Sequence, residues 1–266
     1  MDDSEVFVFV LSFVAAGIGV VVNRTGALHG LYFRGNPGPG LVRLGVLLAM
    51  VWIAFVIWRH ADPSVTGVYV WFYLVMGYAA VKLLGQTTPA AFGARMRVDV
   101  GERRNLAAAL LVAAFTLATG MIFGGSLWGE ADPTGEGEGG WWIPVTFFLL
   151  GWATLLVAFR FFLSREAGHL KTIIQRERDL VDARAAAFFL VSCAVPLTDA
   201  VAGDFWGWSH AFLTFGVIAG MLLVREAAAA RRTVESPRLL ESLAYLVLGG
   251  GAWWANRVLD QMFGAG

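Results

Sequence analysis

Asp199 is the residue whose type and setting most directly invite chemistry, because it is a carboxylate inside an otherwise apolar run, three residues after Pro196. Proline at position 196 removes a helical hydrogen bond to the carbonyl of Ser192 and its ring clashes with that carbonyl. A broken backbone beside a carboxylate is an arrangement in which intramembrane ions or protons are handled. A charge at the centre of a span costs about 2.5 to 3.5 kcal/mol on insertion scales, so Asp199 needs water or a partner. Arg184 lies roughly 22 Å earlier along a helix rising about 1.5 Å per residue, which puts Asp199 in the outer third of a membrane. Three readings stay open. Asp199 reaches outer water, pairs with a basic residue (Arg257 by position, His210 as the weaker choice), or lines a cavity opened by Pro196 that carries a cation or proton.

Other residue types offer less. His29, His60, His169 and His210 never occur at the spacing of a helical metal site, and Cys193, the single cysteine, sits among apolar neighbours as an inert core thiol. The acidic stretch Glu130, Asp132, Glu136 and Glu138 lacks the alternating acids and closing Glu of a calcium loop. No phosphate-binding glycine loop, nucleophile elbow or zinc-protease motif is present, so the sequence calls for no enzyme activity, cofactor or metal. Gly120 and Gly124 form G-x-x-x-G, as do Gly216 and Gly220, and Ala114 with Ala118 gives a related pair. Such spacing lets helix backbones approach closely in lipid, either within one bundle or between two copies. Gly249 to Gly251 permits similar contact, or a local break.

The elements that position these residues are membrane helices. The chain is 58% hydrophobic with only 15% charged residues and eleven Trp, far from the soluble norm of about 25% charged. Apolar stretches near the ~20 residues needed to cross a bilayer run over 6–22, 41–58, 68–84, 106–125, 141–163, 185–202, 210–224 and 243–258. The acidic start, MDDSEVFVF, is no secretory signal, so the first span is taken as retained. Basic residues gather on alternate connections: Arg24, Arg34 and Arg43; then Lys82, Arg95, Arg97, Arg103 and Arg104. They return at Arg160 to Arg184 and at Arg225, Arg231, Arg232 and Arg238. The positive-inside rule then predicts both termini outside. Trp58, Trp71, Trp128, Trp141, Trp142, Trp206 and Trp208 fall at the outer face, where Trp prefers the headgroup level.

The chain also repeats itself. Residues 102–129 match 180–207 without gaps, so Ala107 to Ala109 fall on Ala185 to Ala187 and Trp128-Gly129 on Trp206-Gly207. Trp58, Ala61, Asp62 and Pro63 match Trp128, Ala131, Asp132 and Pro133. The expected architecture is all-α: a single integral membrane domain over 1–266, a bundle of about eight spans. It contains parallel hairpin repeats at about 41–85, 102–164 and 180–232, flanked by the first and last spans. The mixed-charge segments 86–105 and 164–184 read as helical extensions and short surface helices with a solvated face, or as a docking surface for a soluble partner.

The entry ERRNLAAAL at 102–110, preceded by Thr88-Pro89 and followed by a small-residue helix ending in Gly-x-x-Trp-Gly, resembles the bacterial inner-membrane family catalogued as domain of unknown function 350. The likeness is best over about 88–232, and Ala183 stands in the last repeat where Asn105 stands in the preceding one. It implies a bacterial inner-membrane protein built from paired helices and associated with envelope stress. Two functions follow: a structural or interaction component of the inner membrane, or an ion or small-solute channel or transporter using Asp199. The partners expected are the lipid bilayer, a second copy through small-residue faces and a cytoplasmic protein; balanced charge gives no argument for nucleic acid.

Overall fold

The computed structural model describes residues 1–24, 35–62, 65–129, 140–164, 178–202, 208–230 and 238–263. They fold as α1 (Asp3–Val22), α2 (Gly38–Arg59) and α3 (Val68–Ala79), the last continuing into a π-helical stretch, Ala80–Gly85, and a 3-10 turn, Thr88–Phe92. A second π-helical stretch, Met96–Glu102, leads into α4 (Leu106–Ser126), followed by α5 (Trp142–Ser164), α6 (Leu180–Ala202), α7 (Trp208–Ala230) and α8 (Arg238–Phe263). Among the described residues no β-strand occurs, and seven helices are long and apolar enough to cross a bilayer. The chain is an all-helical, multi-pass membrane protein. Its outward side chains agree, since Val21, Trp58, Leu223 and Val247 are between 70% and 82% exposed, a surface suited to lipid and not to water.

α2, α4, α6 and α8 stand in a row, and α1 with α3, α5 and α7 cover one side of it. The two stretches that match in sequence become α4 and α6, the central pair. Their spans are 78% and 72% buried, against 17% to 39% for the other five. Size explains the position: the facing residues are Ala, Gly, Ser and Thr, and small side chains let four helices meet without a hydrophobic drive from water. A Cβ added to Gly45 of α2 would lie 2.8 Å from the Ala113 carbonyl oxygen, and one added to Gly125 of α4 would lie 2.9 Å from Cα of Thr198. Aromatic rings fill what the small residues leave. Phe115 meets Phe159 edge-on at 5.0 Å, and Phe162 meets Phe189 at 4.5 Å.

Helix starts follow local chemistry. Asp2 and Glu5 form a reciprocal capping box at α1, and Asn105 caps α4 by accepting from the Ala108 N–H at 3.2 Å. The segment 86–105, expected as solvated surface helices, differs from that expectation. Gln86, Ala94, Met96, Asp99 and Val100 are buried. Asp99 holds the turn together, with Oδ2 accepting from the Arg95 N–H at 2.8 Å and Oδ1 from Arg103 Nη1 at 3.1 Å. Asn36 pins it to the start of α2, donating from Nδ2 to the Val100 carbonyl at 3.0 Å. The mixed charges therefore satisfy a folded plug at that end of the bundle. Most of the companion segment, residues 165–177, lies outside the described residues, as do the acidic loop at 130–139, His29, His169, Trp206 and Gly207.

Each of the eight apolar stretches is helical. Most bounds extend by a few residues, and the last grows from 243–258 to 238–263, with Glu241 and Asn256 turned inward and buried.

Candidate functional site

α8 carries the pattern that organises the polar interior. Glu241, Tyr245, Gly249, Ala252 and Asn256 recur every three or four residues and, with Ser242 beside the first, are all buried. Leu239, Leu240, Leu243, Val247 and Trp254 point outward. This is the polarity of a soluble surface helix turned inside out, although α8 is not among the seven helices apolar enough to cross a bilayer.

At the basic end of the bundle, Glu241 Oε1 accepts from Arg225 Nη1 at 2.7 Å and from the Tyr245 hydroxyl at 2.6 Å. The two charged side chains are 4% and 1% exposed, so the pair is fully desolvated. The Arg225 guanidinium lies 4.5 Å over the Phe162 ring, and Phe189 packs edge-on to Tyr245 at 5.4 Å, which seals the pair from lipid. Glu241 Oε2 is buried and, among the described residues, has no hydrogen-bond partner.

At the opposite end of the same face, Asn256 Nδ2 donates to Asp199 Oδ2, joining α8 to α6. Asp199 is half-buried, and the other amide atom, Asn256 Oδ1, is buried without a partner among the described residues. Arg257, the basic residue put forward as one possible partner of Asp199, points elsewhere. Its guanidinium lies 5.1 Å over Trp253 and 5.7 Å over Trp128, and among the described residues no ion pair joins it to Asp199. One residue of helix rotates a side chain by about 100°, enough to give Asn256 the inward place and Arg257 the rim. His60 stacks on the other side of this group, 3.6 Å from Trp128 with planes 14° apart. Burial, then the nearby Arg59 and Arg257 charges, hold the His60 imidazolium below its usual pKa.

Pro196 does not break α6, which stays helical from Leu180 to Ala202. The carbonyl of Ser192, which Pro196 deprives of its donor, faces Gly249 of α8, and a Cβ there would be only 2.7 Å from it. The Pro196 carbonyl in turn accepts from Thr214 Oγ1 of α7 at 3.2 Å. The proline thus marks where α6, α7 and α8 exchange polar contacts along one seam. The seam also holds the Ser192 hydroxyl, buried without a partner among the described residues, and Cys193 Sγ, 3.5 Å from Met221 Sδ.

The candidate packing glycines divide. Gly120 sits against α2, where a Cβ would be 2.9 Å from Cα of Ala49, and Gly124 sits against the Trp52 indole, which donates to the Met121 carbonyl at 3.1 Å. Gly216 and Gly220 have open space at the same position. Among the described residues no three His, Cys, Asp or Glu side chains converge on a point.

Sequence reading did not find Glu241, Tyr245 or Asn256, and it took Arg225 only as a basic loop marker. The signal was the spacing 241, 245, 249, 252, 256, a polar and small-residue stripe on an otherwise apolar helix. Chemically, the stripe places one carboxylate, Glu241, roughly 22 Å along α8 from Asn256, which holds the second, Asp199 of α6. Hydroxyl and amide groups lie between and beside them. No protein-family model, curated protein or solved structure matches the chain in any of the three comparisons.

Proposed function

We propose that this protein is an eight-span bacterial inner-membrane protein that passes protons along the α6–α8 seam, between Asp199 at the outer rim and Glu241 near the cytoplasmic end. The observation that carries this reading is the buried polar face of α8, with ionisable or hydrogen-bonding groups at both ends and Ser192 between. Ionisable residues inside a membrane are costly and mark ion or proton pathways. A proton suits the seam better than a metal cation, since few oxygens gather at any point, whereas calcium needs about 6 to 8 and magnesium about six. The Tyr245 and Ser192 hydroxyls supply relay positions, and bridging water fills the longer steps. The topology follows from the basic residues: Lys82, Arg95, Arg103 and Arg225 share one end, facing the cytoplasm, and both termini lie outside.

A second reading, a structural or interaction component of the membrane, draws support from the close backbone contacts at Gly45, Gly125 and Gly249, which favour a rigid bundle. Purified protein in liposomes separates the two. With a pH gradient and a pH-sensitive dye inside, the transport reading expects proton flux above empty liposomes, with no comparable flux of potassium or sodium. Flux equal to empty liposomes for every ion supports the scaffold.

A further inference from the structure

The side of the row not covered by α1, α3, α5 and α7 carries a groove of about 240 Å³, floored by Ala113, Ala114 and Ala187 and walled by Leu44, Phe188 and Leu246. That volume is below the about 300 to 1,000 Å³ of a typical small-molecule pocket, and Arg184 aside its lining is wholly apolar. One charged residue lines it, Arg184, the fifth residue of α6. Among the described residues Arg184 makes no hydrogen bond or ion pair, and its Nε is buried and unpartnered. A buried Nε donor with no acceptor among the described residues calls for one, and a phosphate matches the guanidinium fork.

We propose that the groove binds one anionic phospholipid, an acyl chain lying over the alanine floor and the phosphate accepting from Arg184. The apolar walls alone accept any acyl chain, so Arg184 supplies the headgroup selectivity. Basic side chains at membrane surfaces select anionic lipid in this way. The placement of this end at the cytoplasmic leaflet rests on the proposed topology, but the binding itself does not, because phosphatidylglycerol can be presented from either side.

The test is native mass spectrometry of the full-length protein released from detergent with phosphatidylglycerol, with phosphatidylcholine, or with glycerol 3-phosphate. The wild type is expected to retain one phosphatidylglycerol about fivefold more strongly than phosphatidylcholine, and to retain no glycerol 3-phosphate. Arg184→Gln should erase the preference while Arg184→Lys keeps most of it. Unfolding in the same detergent verifies that both variants are folded; if Arg184→Gln is not, the Arg184→Ala and Arg184→Met variants take its place. Equal retention of the two lipids by the wild type, an undiminished preference in the folded charge-removing variant, or binding of glycerol 3-phosphate without lipid would overturn the proposal. None of these outcomes bears on proton flux, so the two ideas fail separately.

Discussion

Gly249 of α8 lies against the carbonyl of Ser192 in α6, so close that an added Cβ would stand 2.7 Å from the oxygen. That carbonyl is the one Pro196 leaves without its helical N–H donor. A proline in one helix and a glycine in the next therefore meet at one carbonyl. The oxygen faces the Gly249 backbone of α8, an approach that only a residue without Cβ permits.

Gly249→Ala should therefore destabilise the bundle by about 1 to 3 kcal/mol, since the neighbour is backbone and cannot rotate away. Gly250→Ala is the control, because nothing lies within 4 Å of its added Cβ. Thermal unfolding in detergent reads both. Equal midpoints for the two variants would mean that α8 does not seat on α6 as described.

Gly120 and Gly216 make a parallel contrast on the other motif. Gly120→Ala drives a methyl into Ala49 and should cost about 1 to 3 kcal/mol, whereas Gly216→Ala meets open space and should leave the midpoint of the monomer unchanged. A loss at Gly216 that grows with dilution would instead identify that face as an interface between copies.

Glu241→Gln should cost about 3 to 5 kcal/mol, because it leaves the Arg225 guanidinium buried against a neutral partner. Replacing both, as Arg225→Met with Glu241→Leu, should recover most of that loss, since a desolvated pair is often no more stabilising than apolar residues of similar volume. A double variant as unstable as the sum of its singles would contradict the coupling. Chemical unfolding of the wild type, Arg225→Met, Glu241→Leu and the double variant completes the cycle.

His60 gives a pH-dependent term. Its folded pKa is depressed from an ordinary value near 6.5, so its contribution to stability is present above about 6.5 and is lost as pH falls through the lowered folded value. Arg59 and Arg257 are the charges that oppose its protonation. The wild type should lose thermal stability on acidification from pH 7.5 to 5 more steeply than His60→Gln. Parallel curves would show that the Trp128 stack tolerates the imidazolium.

Much of the fold was legible because hydrophobic run length and small-residue content are one-dimensional signals. The match between 102–129 and 180–207 lies on the two helices that become the centre, and Ala107 to Ala109 and Ala185 to Ala187 are all buried. The site was less legible, for a physical reason visible at Asp199. Charge complementarity pointed to Arg257, but helix rotation gives the inward position to Asn256, and an amide suffices to bond a carboxylate. Pro196 was read as a break because its lost hydrogen bond is local, whereas the backbone that faces the freed carbonyl is that of Gly249, distant in sequence. The buried turn at 86–105 was hidden similarly, since Asp99 bonds backbone and a neighbouring arginine with groups that in sequence look like solvated charge.

The most direct measurement is proton flux through the reconstituted wild type and Asp199→Asn at matched protein content and orientation. An amide retains the shape and can keep a hydrogen bond to Asn256, but it cannot take up a proton at neutral pH. The account predicts flux above empty liposomes for the wild type and a loss of at least tenfold in Asp199→Asn, with its unfolding midpoint nearly unchanged. Full flux in a stable Asp199→Asn protein would contradict it.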